Sequence, residues 1–345
     1  MPWSDFARPR TLRALASAAR NPAHAYLVSG PEGSARDILA VELVQALLCS
    51  EQSADGPCKA CSTCRRVAAD GHPDVVTLRP QGKLGYREEE TDDIPAHAAL
   101  APFEGRHKVF VIHRADRMNR WGANALLKVL EEPPPHVVLI LLTAAPEQLL
   151  ETVRSRCRPI DVQAPSRGDI LEALRRESLT EEAAERIARL AAGDLKWALS
   201  AAADAAIVDG RLEQVSTLLR LLEAPIFERF RWARSAADRF NDDHDATYAE
   251  LDLLAAIWRD VLRQGGGQPD PTVTSGHEVA IEGLAVSLRP GEVAEALNAI
   301  IATKEALEAN VNARLALESL MLALPRKDEA LKGEDAELAP RGSRV

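Results

Sequence analysis

The chain has 345 residues, 46% of them apolar and 27% charged, and carries a net charge of −10. That length holds two or three domains, each with a core of its own. The acidic balance argues against a surface that grips nucleic acid along its whole extent, because phosphate contacts need lysine and arginine. No apolar run approaches the roughly 20 residues of a membrane-spanning helix.

The N-terminus, Met1-Pro2-Trp3-Ser4-Asp5, lacks the basic and apolar regions of a secretory signal, so a cytoplasmic protein is expected. Residues 1–162 then alternate apolar strand-like runs with helical patterns. The predicted strands are Ala25–Val28, Val75–Leu78, Val109–Ile112, Val137–Leu142 and Pro159–Val162. Helical stretches separate them, including Ile38–Leu48 and Asn119–Glu132, and Pro133-Pro134-Pro135 stops the latter. Such alternation predicts an α/β fold, a parallel sheet with helices on both faces.

The first strand leads into Gly30-Pro31-Glu32-Gly33-Ser34-Ala35-Arg36-Asp37 and then a helix. This is the strand–loop–helix setting of a P-loop, whose pattern is G-x-x-x-x-G-K-[ST]. Gly30 and Gly33 are present, but Ala35 stands for the second glycine of the pattern, Arg36 for the lysine and Asp37 for the magnesium-binding hydroxyl. An aspartate there opposes the attraction of a helix N-terminus for anions. After the third strand a nucleotide hydrolase needs an acid on magnesium. The chain has His113-Arg114 instead, and Asp116 falls three residues too far along, where a turn or cap is expected. Two independent losses predict a site without phosphoryl-transfer chemistry.

Between the first helix and the second strand lie Cys49, Cys58, Cys61 and Cys64. Their short spacing in a reducing compartment predicts a closed tetrahedral zinc site, structural because no position is left open for water. The alternative is four unconnected buried or redox cysteines. His72 is a spare ligand nearby, but its Pro73 neighbour suits a turn, so it is left out of the set. The segment 81–95 is unusually acidic, without an evident purpose.

Arg154-Ser155-Arg156-Cys157-Arg158 is the most suggestive basic cluster. Such a cluster is often a solvated surface; the functional alternative is an arginine offered to a triphosphate on another subunit, a task its charged planar fork suits. Lys196, at the start of a later helix, reads as an ordinary exposed lysine. From Ser166 the pattern is helical only, with Ser166 and Asp169 capping a helix through Leu174. A small helical domain is expected over 164–205 and a larger one over 206–325, with a loop at Gln264–Pro271. The charged tail 326–345 is expected to be disordered.

An ordered series of motifs carries a resemblance. It comprises His24-Ala25-Tyr26-Leu27 before Gly30-Pro31, the cysteine module, His72-Pro73-Asp74, Lys108-Val109-Phe110-Val111-Ile112, Asn124-Ala125-Leu126-Leu127-Lys128-Val129-Leu130-Glu131-Glu132-Pro133 and Ser155-Arg156-Cys157. Over about residues 20–160 it resembles the bacterial clamp-loader family of AAA+ proteins; beyond 165 the likeness is architectural. The resemblance implies an AAA+ domain with a zinc module over 1–163, an all-α lid and an all-α collar. In that family a ring of subunits uses ATP, bound by tau or gamma motors, to open the sliding clamp and place it on primed DNA for DNA polymerase III. It implies partners such as tau or gamma and delta, and a member that hydrolyses no ATP but lends Arg156 as an arginine finger. Two readings compete: an active clamp-loader ATPase with divergent motifs, and a zinc module that binds nucleic acid by itself.

Overall fold

The computed structural model describes residues 3, 8–51, 56–81, 85–240, 243–267, 273–274, 276–309 and 311–325. The expected tail at 326–345 and residues 268–271 of the expected loop Gln264–Pro271 lie outside them, while Gln264 and Gly265 of that loop instead end a helix.

In chain order the first part runs α1 Pro9–Arg20, β1 Ala25–Ser29, α2 Arg36–Leu48, α3 Ser62–Ala68, β2 Val75–Leu78, α4 Ile94–Ala99, β3 Lys108–Ile112, α5 Arg120–Glu131, β4 Val137–Thr143, α6 Glu151–Arg154, β5 Arg158–Asp161 and α7 Arg167–Leu174. All five strands pair in parallel, in the order β2-β3-β4-β1-β5. The sheet is covered on both faces, so its central strands are continuous apolar runs: every residue of β1, β3 and β4 is buried. Successive side chains alternate between the faces. Leu27, Phe110, Ile112, Leu139 and Leu141 share one core with Ile94, Leu126, Val129, Leu130 and Val153 from α4, α5 and α6. On α2, Leu39 and Leu43 are fully buried, and this helix packs on β1 and β4.

Helix ends follow local chemistry. Asn119 caps α5 by accepting from Gly122 N at 2.8 Å. Ser166 and Asp169 form the expected reciprocal capping box of α7. The acidic segment acquires a role: Tyr86 Oη shares its one O–H between the carbonyls of Leu78 (2.8 Å) and His113 (2.6 Å), strapping Tyr86 across the ends of β2 and β3. Glu90 secures the turn by accepting from the backbone N–H groups of Arg87 and Gln81.

Among the described residues the remaining elements are helices: α8 Glu181–Leu190, α9 Leu195–Ala203, α10 Ala205–Glu223, α11 Ile226–Phe240, α12 His244–Gly265, α13 Glu278–Ser287, α14 Pro290–Glu308 and α15 Ala313–Ala323. The chain separates into two compact units, residues 1–178 with 193–199, and residues 179–192 with 200–345. The second is built around Trp258, Leu254, Ile257, Leu317 and Ile300. Its most unusual member is Arg229, 1% exposed. The guanidinium donates to the carbonyls of Leu222 (2.5 Å), Leu324 (2.9 Å), Pro325 (3.0 Å) and Met321 (3.3 Å), so one cation closes the C-terminal ends of α10 and α15. Helix C-termini carry partial negative charge, which compensates a buried cation.

Candidate functional site

The loop after β1 sits where the sequence places it, at the carboxyl edge of the sheet. Two glycines are required there by geometry. A Cβ on Gly30 would stand 2.5 Å from Val162 O, and Gly33 has φ +74° with Asp194 Cγ 2.9 Å from where its Cβ would be. Leu195 N donates to Gly33 O at 2.9 Å, tying the loop to the segment 193–199.

Arg36 is 4% exposed and folds back into the loop. Its Nη1 donates to Gly30 O at 2.8 Å, and its Nη2 reaches Glu32 Oε2 and Asp37 Oδ2, both at 3.3 Å. Asp37 Oδ1 lies 3.1 Å from His113 Nδ1. Burial raises the Asp37 pKa; the hydrogen bond from His113 and the charges of Arg36, His113 and Lys196 outweigh it and hold the carboxyl at about 2. Asp37 is therefore an anion across the physiological range. The loop thus presents two carboxylates and an engaged guanidinium where a P-loop supplies a free ammonium and a hydroxyl. The Arg36 guanidinium is already used within the loop.

The end of β3 completes this arrangement. His113 faces Asp37, and Arg114 adopts φ 47°, a left-handed conformation uncommon outside glycine. Asp116 lies in a short 3-10 turn, as its spacing predicts, where Thr143 Oγ1 donates to its Oδ1.

The four cysteines converge. The Cys49–Cys58 sulfur pair is 3.5 Å apart, Cys49–Cys61 3.9 Å and Cys58–Cys64 3.9 Å, and all four sulfurs lie within 4.8 Å of one another. Four sulfurs about 2.3 Å from a tetrahedral zinc would be about 3.8 Å apart, so the donor set fits. None of the four is in a disulfide. The backbone N–H of Cys61 donates to Cys58 Sγ (3.3 Å) and that of Cys64 to Cys61 Sγ (3.4 Å), contacts that favour thiolates. Backbone hydrogen bonds from Ala60 and Cys61 bring the Cys58 thiol down to about 7. Lys59 takes the left-handed turn between the ligands and pairs with the buried Glu42 of α2 at 2.6 Å, while Gln45 Nε2 donates to Cys64 O at 2.9 Å. These contacts seat the knuckle on α2. His72 is not among the ligands: its Nε2 is 3.1 Å from Glu104 and its Nδ1 accepts from Asp74 N.

Arg156 lies in the turn between α6 and β5, with its side chain 38% exposed. Nη1 donates to Thr152 O at 3.0 Å and Nη2 to Glu131 Oε1 at 3.2 Å, which aims the fork outward from the end of α5. Cys157 beside it is a buried filler whose thiol burial pushes up to about 12. In the β1–β5 register Arg158 pairs with Tyr26, which sets Arg156 level with His24. From there to Gly30 is about 20 Å along the strand at about 3.3 Å per residue, more than an arginine side chain spans. Arg156 and the loop occupy opposite edges of the sheet, so this arginine does not serve its own chain's loop.

One feature escapes sequence reasoning. Asp74, 1% exposed, accepts three backbone N–H groups: those of Phe103, Glu104 (3.0 Å) and Gly105 (2.7 Å). Those bonds hold its carboxyl below the usual range despite burial. Glu104 is braced by Arg66 and His72. The only signal was His72-Pro73-Asp74 itself, a turn motif whose acid had no assigned partner.

Comparison with known proteins agrees with these elements. The family model described as DNA polymerase III, delta subunit matches residues 8–166. The delta' subunit of DNA polymerase III from Bacillus subtilis is 27% identical over 327 residues, covering 92% of this chain and 96% of that one. The delta' subunit from Pseudomonas aeruginosa is 37% identical over 171 residues, 49% of this chain and 52% of the relative. The tau subunit of Escherichia coli is 35% identical over 200 residues, 56% of this chain and 30% of tau. A solved gamma subunit-related protein from Thermotoga maritima aligns over 92% of this chain and 99% of its own at 22% identity, with a TM-score of 0.47. Together with the sheet and the cysteine module, these matches across most of the chain support a clamp-loader delta-prime subunit of DNA polymerase III.

Proposed function

We propose that this clamp-loader subunit no longer runs on nucleotide and instead completes the site of a neighbouring ATPase, of tau or gamma type, by presenting Arg156 to its triphosphate. The observation that carries this reading is the Arg36 guanidinium, closed onto Gly30 O, Glu32 and Asp37 inside its own loop. To admit phosphate, the loop would have to release those contacts and seat an anion beside an ionised Asp37. The His113-Arg114 pair supplies no carboxylate for magnesium. The separation of Arg156 from its own loop supports action in trans. Such a finger contributes roughly 10³–10⁵ in rate in other phosphoryl-transfer systems, or about 4–7 kcal/mol of barrier.

In this reading residues 164–205 form a lid, 206–325 a collar that joins the ring, and the partners are the tau or gamma motors and delta. The complex acts in the cytoplasm on the sliding clamp and primed DNA. The four cysteines hold one structural zinc; its binding, on the order of 10 kcal/mol, stabilises an excursion with little core of its own.

Two measurements test this. The full chain with magnesium should show no micromolar ATP binding; such binding would favour the reading of an active ATPase with divergent motifs. In a reconstituted loader Arg156→Ala should assemble normally but lower ATP turnover at least tenfold. Unchanged turnover refutes the finger.

A further inference from the structure

We propose that the turn 100–106 is an apolar docking element that seats this chain on the same neighbouring ATPase subunit that receives Arg156; the choice of partner rests on the function proposed above. Phe103 is 84% exposed and Leu100 58% exposed. A side chain this exposed usually sits on a pliable loop, yet the backbone carrying Phe103 is clamped. Asp74 takes the amide hydrogens of Phe103, Glu104 and Gly105, and His136 Nε2 lies 3.1 Å from Leu100 O. A Cβ on Gly105 would stand 3.1 Å from Asp74 Oδ2 and 3.0 Å from Leu48 Cδ2, so any larger residue would crowd the carboxylate. A buried anion is thus used to hold an aromatic ring out into solvent. Preorganisation of this kind lowers the entropy lost when the ring enters a pocket.

The position of the turn selects its partner. Asp74 immediately precedes β2, His136 immediately precedes β4, and Arg156 precedes β5 by two residues. In a parallel sheet all three points lie on the amino edge. The outermost of them are four strand spacings apart, about 19 Å at about 4.8 Å each. A standard interface takes about 800 Å² from each partner, a disc about 30 Å across. A patch of that size centred between the two points spans both, so a subunit seated there covers Arg156 and this turn together, with the arginine reaching its phosphate and Phe103 filling an apolar pocket.

The test uses the reconstituted loader, titrating the full-length chain and reading ATP turnover. Phe103→Ser should raise the concentration for half-maximal turnover on the order of 10- to 100-fold, as loss of an interface anchor does, while turnover at saturation stays at the wild-type level. Phe103→Tyr should recover most of the affinity. Arg156→Ala should do the reverse, lowering saturated turnover at unchanged half-saturation, so the two ideas fail separately. A Phe103→Ser chain with an unchanged urea midpoint and unchanged half-saturation overturns the docking role. So does a variant that assembles normally but loses binding to the clamp or DNA.

Discussion

Replacing Asp74 with asparagine preserves shape and removes charge. The carboxylate holds three backbone N–H groups, one on Oδ1 and two on Oδ2, in a site 1% exposed. If the asparagine oxygen takes the Oδ2 position, the bonds from Glu104 and Gly105 survive as neutral ones, and the Phe103 N–H meets an NH₂ group. Hydrogen bonds to a charged acceptor contribute about 1.5–3 kcal/mol and neutral ones about 0.5–1.5. One lost bond and two weakened ones give about 3–5 kcal/mol, a large part of a domain's usual 5–15 kcal/mol. The readout is the urea transition of the first unit, together with hydrogen exchange at residues 103–105, whose protection should collapse. The effect should also depend on pH. Asp74 ionises below its ordinary 3.8 in the folded chain, so its contribution is complete above that value and is lost as pH falls through the lower folded pKa. An unfolding free energy within 1 kcal/mol of wild type and intact protection at 103–105 would show that the cradle carries no load.

Metal analysis of the purified chain should find one zinc, and Cys61→Ser should release it and loosen the knuckle; absence of metal from the wild-type chain removes the zinc assignment. Asp37→Asn should weaken the first unit by under about 1 kcal/mol, because the side chain is 39% exposed and solvent screens its pairs. With a folded pKa of about 2, that contribution holds above 3.8 and disappears as pH drops towards 2, so equal mutant and wild-type stability at neutral pH but not at pH 2 contradicts the assignment. Arg229→Ala leaves four carbonyls at two helix ends without their shared donor and should cost about 3–5 kcal/mol in the second unit. A shift below 1 kcal/mol in its thermal or urea transition refutes that count.

The sheet was legible because burial on both faces leaves largely apolar runs: β2 matches its predicted span, β1, β3 and β4 each gain a residue at one end, and β5 is displaced by one residue at both ends. Caps with local chemistry were equally legible, as at Ser166 and Asp169, and so was the four-cysteine spacing. The seven-residue α3 and six-residue α4 carry too few turns for a period to stand out. The candidate site was half visible. The sequence shows which residues replaced the P-loop lysine and hydroxyl. It does not show that Arg36 turns inward or that His113, from another strand, meets Asp37. The Asp74 cradle was invisible for the same reason, since its three donors lie 29 to 31 residues further along.

The inward-turned guanidinium has a kinetic corollary. On the function proposed above, nothing in that loop would exchange between a triphosphate and a diphosphate, so no fuel state would be written into this protomer's own shape. On that reading the rhythm of the assembly is set elsewhere in the circle, and this member would be a fixed post against which the others keep time.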